Sequence, residues 1–195
     1  GQDQKVYWYP EGRLLTVGAI YPCLLFILIA VFLSSTQGGL LGLTASAFKD
    51  VADHASKNVS ADQAVYFHQV MDQLAPIAPG VAGATWIIVM TLDMAFAQTI
   101  LRQQKLNLRE TFTRRGLHLP NLLIYGVAIF GVAGLLASFA AWVNIAYVCK
   151  NVCINLGLPF FFVGLSVVHA WAATTRMPFI LLTVFYIILI SLIWI

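Results

Sequence analysis

An all-α, polytopic membrane protein is what this sequence predicts, with about five transmembrane helices and two external amphipathic helices. Three observations lead there. Of 195 residues, 60% are hydrophobic and only 10% are charged, against roughly 25% charge in an average soluble domain. Several apolar stretches run about 20 residues, the length that crosses a ~30 Å hydrocarbon core. Lys and Arg gather in one set of connections, the asymmetry that orients a membrane chain. So few charges cannot cover a water-facing surface, and the expected partner of most of it is the lipid bilayer.

The elements follow in order. Tyr7, Trp8 and Tyr9 precede Pro10 and read as an interfacial anchor, because amphipathic rings favour the headgroup layer. The first span covers 14–33, uncharged and interrupted only by Pro22, which a membrane helix tolerates where neighbours satisfy the freed carbonyl. Between 40 and 76, Leu40, Leu41, Leu43, Phe48 and Val51 recur at helical spacing among Lys49, Asp50, Asp53 and Lys57. Ser60-Ala-Asp-Gln63 then forms a capping box, in which each side chain satisfies the other's backbone donor. Val65, Tyr66, Val70 and Leu74 continue the apolar stripe. The reading is two amphipathic helices lying on the membrane or across the bundle mouth.

The second span covers 81–101 with a single acid, Asp93, and a charged connection follows at 102–120. The third, 122–143, carries small residues at Gly131, Ala133, Gly134, Ala137 and Ser138, a face suited to close helix packing. A turn at 144–151 leads to the fourth, 152–171, and a polar turn at 172–178 to the fifth, 179–195. Lys5, Arg13, Arg102, Lys105, Arg109, Arg114, Arg115 and Arg176 fall on one side, and Lys49, Lys57 and Lys150 on the other. Eight against three of the 11 basic residues makes the N-terminal segment cytoplasmic.

The polar residues inside the spans need a reason. An ionised carboxylate deep in a span costs about 2.5–3.5 kcal/mol on insertion scales, so Asp93 should face the bundle, be neutral or have a partner. Gln98, His169 and Arg13 lie toward the same membrane side. The four could bind a solute or relay protons, or could bridge helices as a structural hydrogen-bonded group. Asn144 and Asn155, near the opposite end of the third and fourth spans, could likewise bridge helices. Asn155-Leu-Gly157-Leu-Pro159 could also break its helix and expose carbonyls to a ligand.

Other patterns are weaker. Asp50, Asp53 and His54 share a helical face without the His-Glu-x-x-His form of a metallohydrolase. Cys23, Cys149 and Cys153 follow no zinc spacing; the last two, four apart, read as packing residues or a strained disulfide. Ser166 and His169 form no recognisable nucleophile and base, and no serine sits in a Gly-x-Ser-x-Gly elbow. No cofactor fingerprint or catalytic motif is present, and a net charge of +3 does not suggest nucleic acid.

Four stretches together carry a family resemblance: Trp8-Tyr-Pro-Glu-Gly-Arg-Leu-Leu15, Leu74-Ala-Pro-Ile-Ala-Pro79, Ala95-Phe-Ala-Gln98, and Asn155-Leu-Gly with Phe160-Phe-Phe-Val-Gly-Leu-Ser-Val-Val-His169. In these the chain resembles the YybS-like family of uncharacterised bacterial inner-membrane proteins. The resemblance implies that this is the C-terminal part of a longer protein. It also implies a distant similarity to the substrate-binding subunits of energy-coupling-factor vitamin transporters. Asp93 departs from it, since Asn is implied nearby. The expectation is therefore a bacterial inner-membrane protein with a small-solute-binding or transport-associated role. The alternative is a non-catalytic accessory subunit packed against other membrane subunits.

Overall fold

The structure, a computed structural model, describes residues 11–106 and 118–193. Seven α-helices occupy them: α1 (Glu11–Phe32), α2 (Gly39–Ala55), α3 (Ala61–Leu74), α4 (Ala78–Gln103), α5 (Asn121–Phe139), α6 (Val143–Ala172) and α7 (Pro178–Ile193). Short 3-10 turns follow α1 and α2, and the described residues contain no strand. The all-helical expectation holds. Four segments are long and apolar enough to cross a membrane: Gly12–Ser35, Ala78–Gln103, Asn121–Phe139 and Val143–Ala172. The expected fifth span is represented by α7, whose 16 residues extend about 24 Å at 1.5 Å per residue.

Local chemistry explains the boundaries. Gly38 and Gly39 adopt positive φ, +78° and +60°, and turn the chain into α2 where a side chain would be strained. At the other end of the hairpin the Ser60 hydroxyl accepts from the Gln63 amide at 3.4 Å while Gln63 Oε1 accepts from the Ser60 amide at 3.2 Å. The expected capping box thus starts α3, and a 3.5 Å pair between His68 and Asp53 ties α3 back to α2. Residues 56–60 separate the two amphipathic helices. Pro76, which lacks an amide hydrogen, follows Ala75, the C-cap of α3.

The connection from α5 to α6 is tighter than the sequence suggests. Trp142 N–H bonds the Ala137 carbonyl at 2.8 Å, and Ala141 N–H bonds that of Ser138 at 3.3 Å, the pair of bonds that defines a Schellman ending. Ala141 holds the left-handed position, φ 55°. The third span, α5, therefore ends at Phe139 and α6 begins at Val143, not at the expected 143 and 152.

The long helix α6 is the hub: α1, α2, α4, α5 and α7 all pack against it. Cys23 and Phe26 of α1, Leu123 of α5, and Tyr147, Val152 and Leu156 of α6 form its buried cluster, with the Phe26 and Tyr147 rings edge-on at 5.9 Å. The outer faces are apolar and open, Phe139 reaching 88% exposure. In lipid no hydrophobic force drives such helices together, so close packing and buried polar bonds hold the bundle.

Candidate functional site

The polar groups that hold the bundle lie on one face of α6. Asn144, Tyr147, Asn151 and Asn155 recur three or four residues apart, which aligns them along one side of a helix. Tyr147 and Asn151 and Asn155 are buried, whereas Asn144 is exposed beside Gly39 at the start of α2. The Tyr147 hydroxyl meets Thr44 Oγ1 at 2.8 Å. Thr44 also donates to the Leu40 carbonyl at 2.5 Å, so the tyrosine is the donor and pins α2 to α6.

Asn151, 0% exposed, does the most. The helix α4 begins after Ile77, which offers no side-chain cap, and Pro79 stands in its first turn. Asn151 supplies the missing acceptor from another helix: its Oδ1 takes the Gly80 N–H at 2.7 Å. Its Nδ2 donates to the Pro76 carbonyl at 3.0 Å and to the Tyr147 carbonyl at 2.9 Å. One amide thereby satisfies groups on both sides of the α3–α4 turn, as buried polar groups require.

One turn further along α6, Asn155 Nδ2 donates to the Asn151 carbonyl at 3.0 Å. Its Oδ1 is the one buried side-chain polar atom without a hydrogen-bond partner among the described residues. It faces Gly83, where an added Cβ would overlap it. The Gly83 Cα–H therefore points at this oxygen, a weak contact that close helix pairs use. At Gly80 a Cβ would come within 2.8 Å of Asn151 Oδ1 and 2.9 Å of Ile154 Cδ1. The two glycines bring α4 against α6 as small residues do in membrane bundles. Asn155 bridges helices by packing, and α6 continues unbroken through Pro159.

The remaining expected residues do not join this group. Asp93 is exposed and makes no hydrogen bond or ion pair among the described residues, so it does not reach His169 or Arg13 as expected. Helical geometry explains this. At about 100° per residue, Asp93 is turned roughly 80–140° from the face of Gly80, Gly83 and Ile87, the buried residues of α4. Gln98 returns to within about 20° of Ile87 and is half-buried, separate from Asp93. Arg13 is exposed in the first turn of α1. His169 serves the α6–α7 contact: its Nδ1 lies 2.8 Å from the Leu165 carbonyl and its Nε2 3.4 Å from the Tyr186 hydroxyl. The carbonyl can only accept, so Nδ1 donates to it. Ser166 donates to the Val163 carbonyl at 2.7 Å and has no bond to His169. Arg109, Arg114 and Arg115 of the charged connection, and the aromatic residues 7–9, lie outside the described residues.

Sequence reading missed Asn151 by placing it in a turn. The available signal was its four-residue spacing from Asn155, visible once both are on one helix. Among the described residues no group of three His, Cys, Asp or Glu side chains could hold a metal, and all three cysteines are free thiols.

A family profile described as "Predicted membrane protein (DUF2232)" matches residues 11–195. The chain belongs to this family. As a DUF2232 member it shares a match that runs through all seven helices, including the α4–α6 junction and the α2–α3 hairpin. No curated protein and no solved structure matches it.

Proposed function

We propose that this protein is a non-catalytic subunit that packs against another membrane protein through the outer side of α4. The observation that carries the reading is Asp93, an exposed carboxylate on a membrane-length helix. It lies about 15 Å along the axis from Gln103, too far for so short a side chain to snorkel. A carboxylate facing lipid there costs about 2.5–3.5 kcal/mol, a penalty that a donor or cation on a neighbouring helix removes. The buried residues of α4, Gly80, Gly83 and Ile87, all precede Asp93, and of residues 88–103 all but Thr91 and Gln98 are exposed. Phe96 on that stretch is 68% exposed.

The transport-associated reading draws less support. It calls for Asp93, Asn155 and His169 around one cavity, and each has a different neighbourhood. The charge asymmetry supports an orientation with the N-terminal segment on the cytoplasmic side, and the family resemblance supports a bacterial inner-membrane placement.

The test is photo-crosslinking in native membranes from positions Leu92 and Phe96, exposed beside Asp93, followed by purification of the complex in mild detergent. The expected result is one crosslinked membrane protein, and an Asp93→Leu variant that loses it while keeping its own unfolding temperature. Crosslinks to lipid alone, with wild type purifying free of any partner, would overturn the proposal.

A further inference from the structure

On another side of the molecule, an apolar groove of about 480 Å³ runs between α5 and α6, roofed by Leu41 of α2 and by Pro76. That volume lies in the ~300–1,000 Å³ range of small-molecule sites. The groove's walls include Phe130, Gly131 and Leu135 of α5 with Ala146 and Lys150 of α6. We infer that it is a binding site for one anionic phospholipid, with an acyl chain along the α5 wall and the phosphate at Lys150.

Three observations support this occupant. The first is length. The lining runs from Phe130 to Ser138 on α5 and from Val143 to Cys153 on α6, about 12–15 Å at 1.5 Å per residue. That is the depth of one leaflet of a ~30 Å core. The second is shape. Gly134 is used for packing, since a Cβ there would stand 3.0 Å from Cys149 Cβ, but one on Gly131 would meet nothing within 4 Å. The small-residue face of α5, expected to serve packing alone, therefore also opens a space beside α6.

The third is charge. Lys150 is exposed, and the only contact between a basic side chain and a carboxylate within 4 Å among the described residues is that of His68 with Asp53, so no carboxylate there neutralises it. It is the only charged side chain lining the groove. A four-carbon stem lets its ammonium ride up to headgroup level while the methylenes stay in the apolar wall. Basic positions between membrane helices recognise anionic headgroups in this way. A single cation in the wall of an apolar trough selects an amphiphile with one anion and a hydrocarbon tail.

The experiment uses the full chain in detergent, measuring the unfolding temperature with added phosphatidylglycerol, phosphatidylcholine or inorganic phosphate. Phosphatidylglycerol should stabilise wild type saturably, at about tenfold lower concentration than phosphatidylcholine, the size of one charge-assisted contact. Lys150→Gln should abolish that preference, Lys150→Arg should keep it, and Gly131→Leu should weaken binding of both lipids by filling the trough. Equal effects of the two lipids on wild type, or a preference that survives Lys150→Gln, overturns the inference. Stabilisation by inorganic phosphate alone would identify a free-anion site and overturn it too. None of these outcomes depends on whether Asp93 meets a partner protein.

Discussion

Asn151 Oδ1 accepts the Gly80 N–H at 2.7 Å, so the N-terminus of α4 is capped by a residue 71 positions later in the chain. Local capping boxes stabilise a helix by itself. This one forms only when α6 is docked, and it couples the α3–α4 turn to the bundle's hub.

Replacing Asn151 by Ala or Leu should therefore be severe for a single polar side chain. It strands the Gly80 amide and the Pro76 carbonyl, each at a cost of about 1–3 kcal/mol when buried. A loss of about 2–4 kcal/mol in denaturant unfolding is expected. A loss under 0.5 kcal/mol would mean that water or another group caps α4.

Gly83→Ala should destabilise by about 1–3 kcal/mol, as overpacking does, because its methyl meets Asn155 Oδ1. Truncating the partner relieves that clash. In a double-mutant cycle with Asn155→Ala, the pair should be about 1 kcal/mol or more less costly than the sum of the singles. Strict additivity would show that α4 and α6 do not touch at this point.

Ala141→Gly should stabilise the protein. Ala141 holds φ 55° in the α5–α6 turn, where glycine meets no Cβ penalty, and the gain should be about 0.5–1 kcal/mol. Melting temperatures of wild type and variant in the same detergent decide the matter, and an unchanged or lowered value would contradict the turn geometry.

Cysteines placed at Lys57 and Lys105 should label oppositely in intact cells. The charge asymmetry predicts Lys57 outside and Lys105 inside, so an impermeant thiol reagent should modify the first and spare the second. Both positions are exposed, which keeps burial from mimicking protection. Reaction at Lys105 alone would invert the orientation.

Ser60→Ala should cost about 1 kcal/mol of local helix stability, visible as faster hydrogen exchange in the first turn of α3. Its capping bonds are exposed and confined to Ser60 and Gln63, so the rest of the bundle should exchange as in wild type. Global acceleration would show instead that the α2–α3 hairpin supports the core.

The sequence by itself determined the all-helical membrane class, the amphipathic pair and the Ser60 cap, because these rest on hydropathy and on residues within one turn of each other. Tertiary structure decided which helix face is buried, and with it the meaning of each polar residue. Asp93 and Gln98 stand about 7.5 Å apart along one span, but the face given to α6 by Gly80 and Gly83 leaves the first exposed and the second half-buried. Asn151 reads as a turn residue until Ala141 turns the chain early and draws it into α6. Its partners, Pro76 and Gly80, lie over 70 positions away. Hydropathy reports depth along a helix axis; rotation about that axis is set by the neighbours that pack against it.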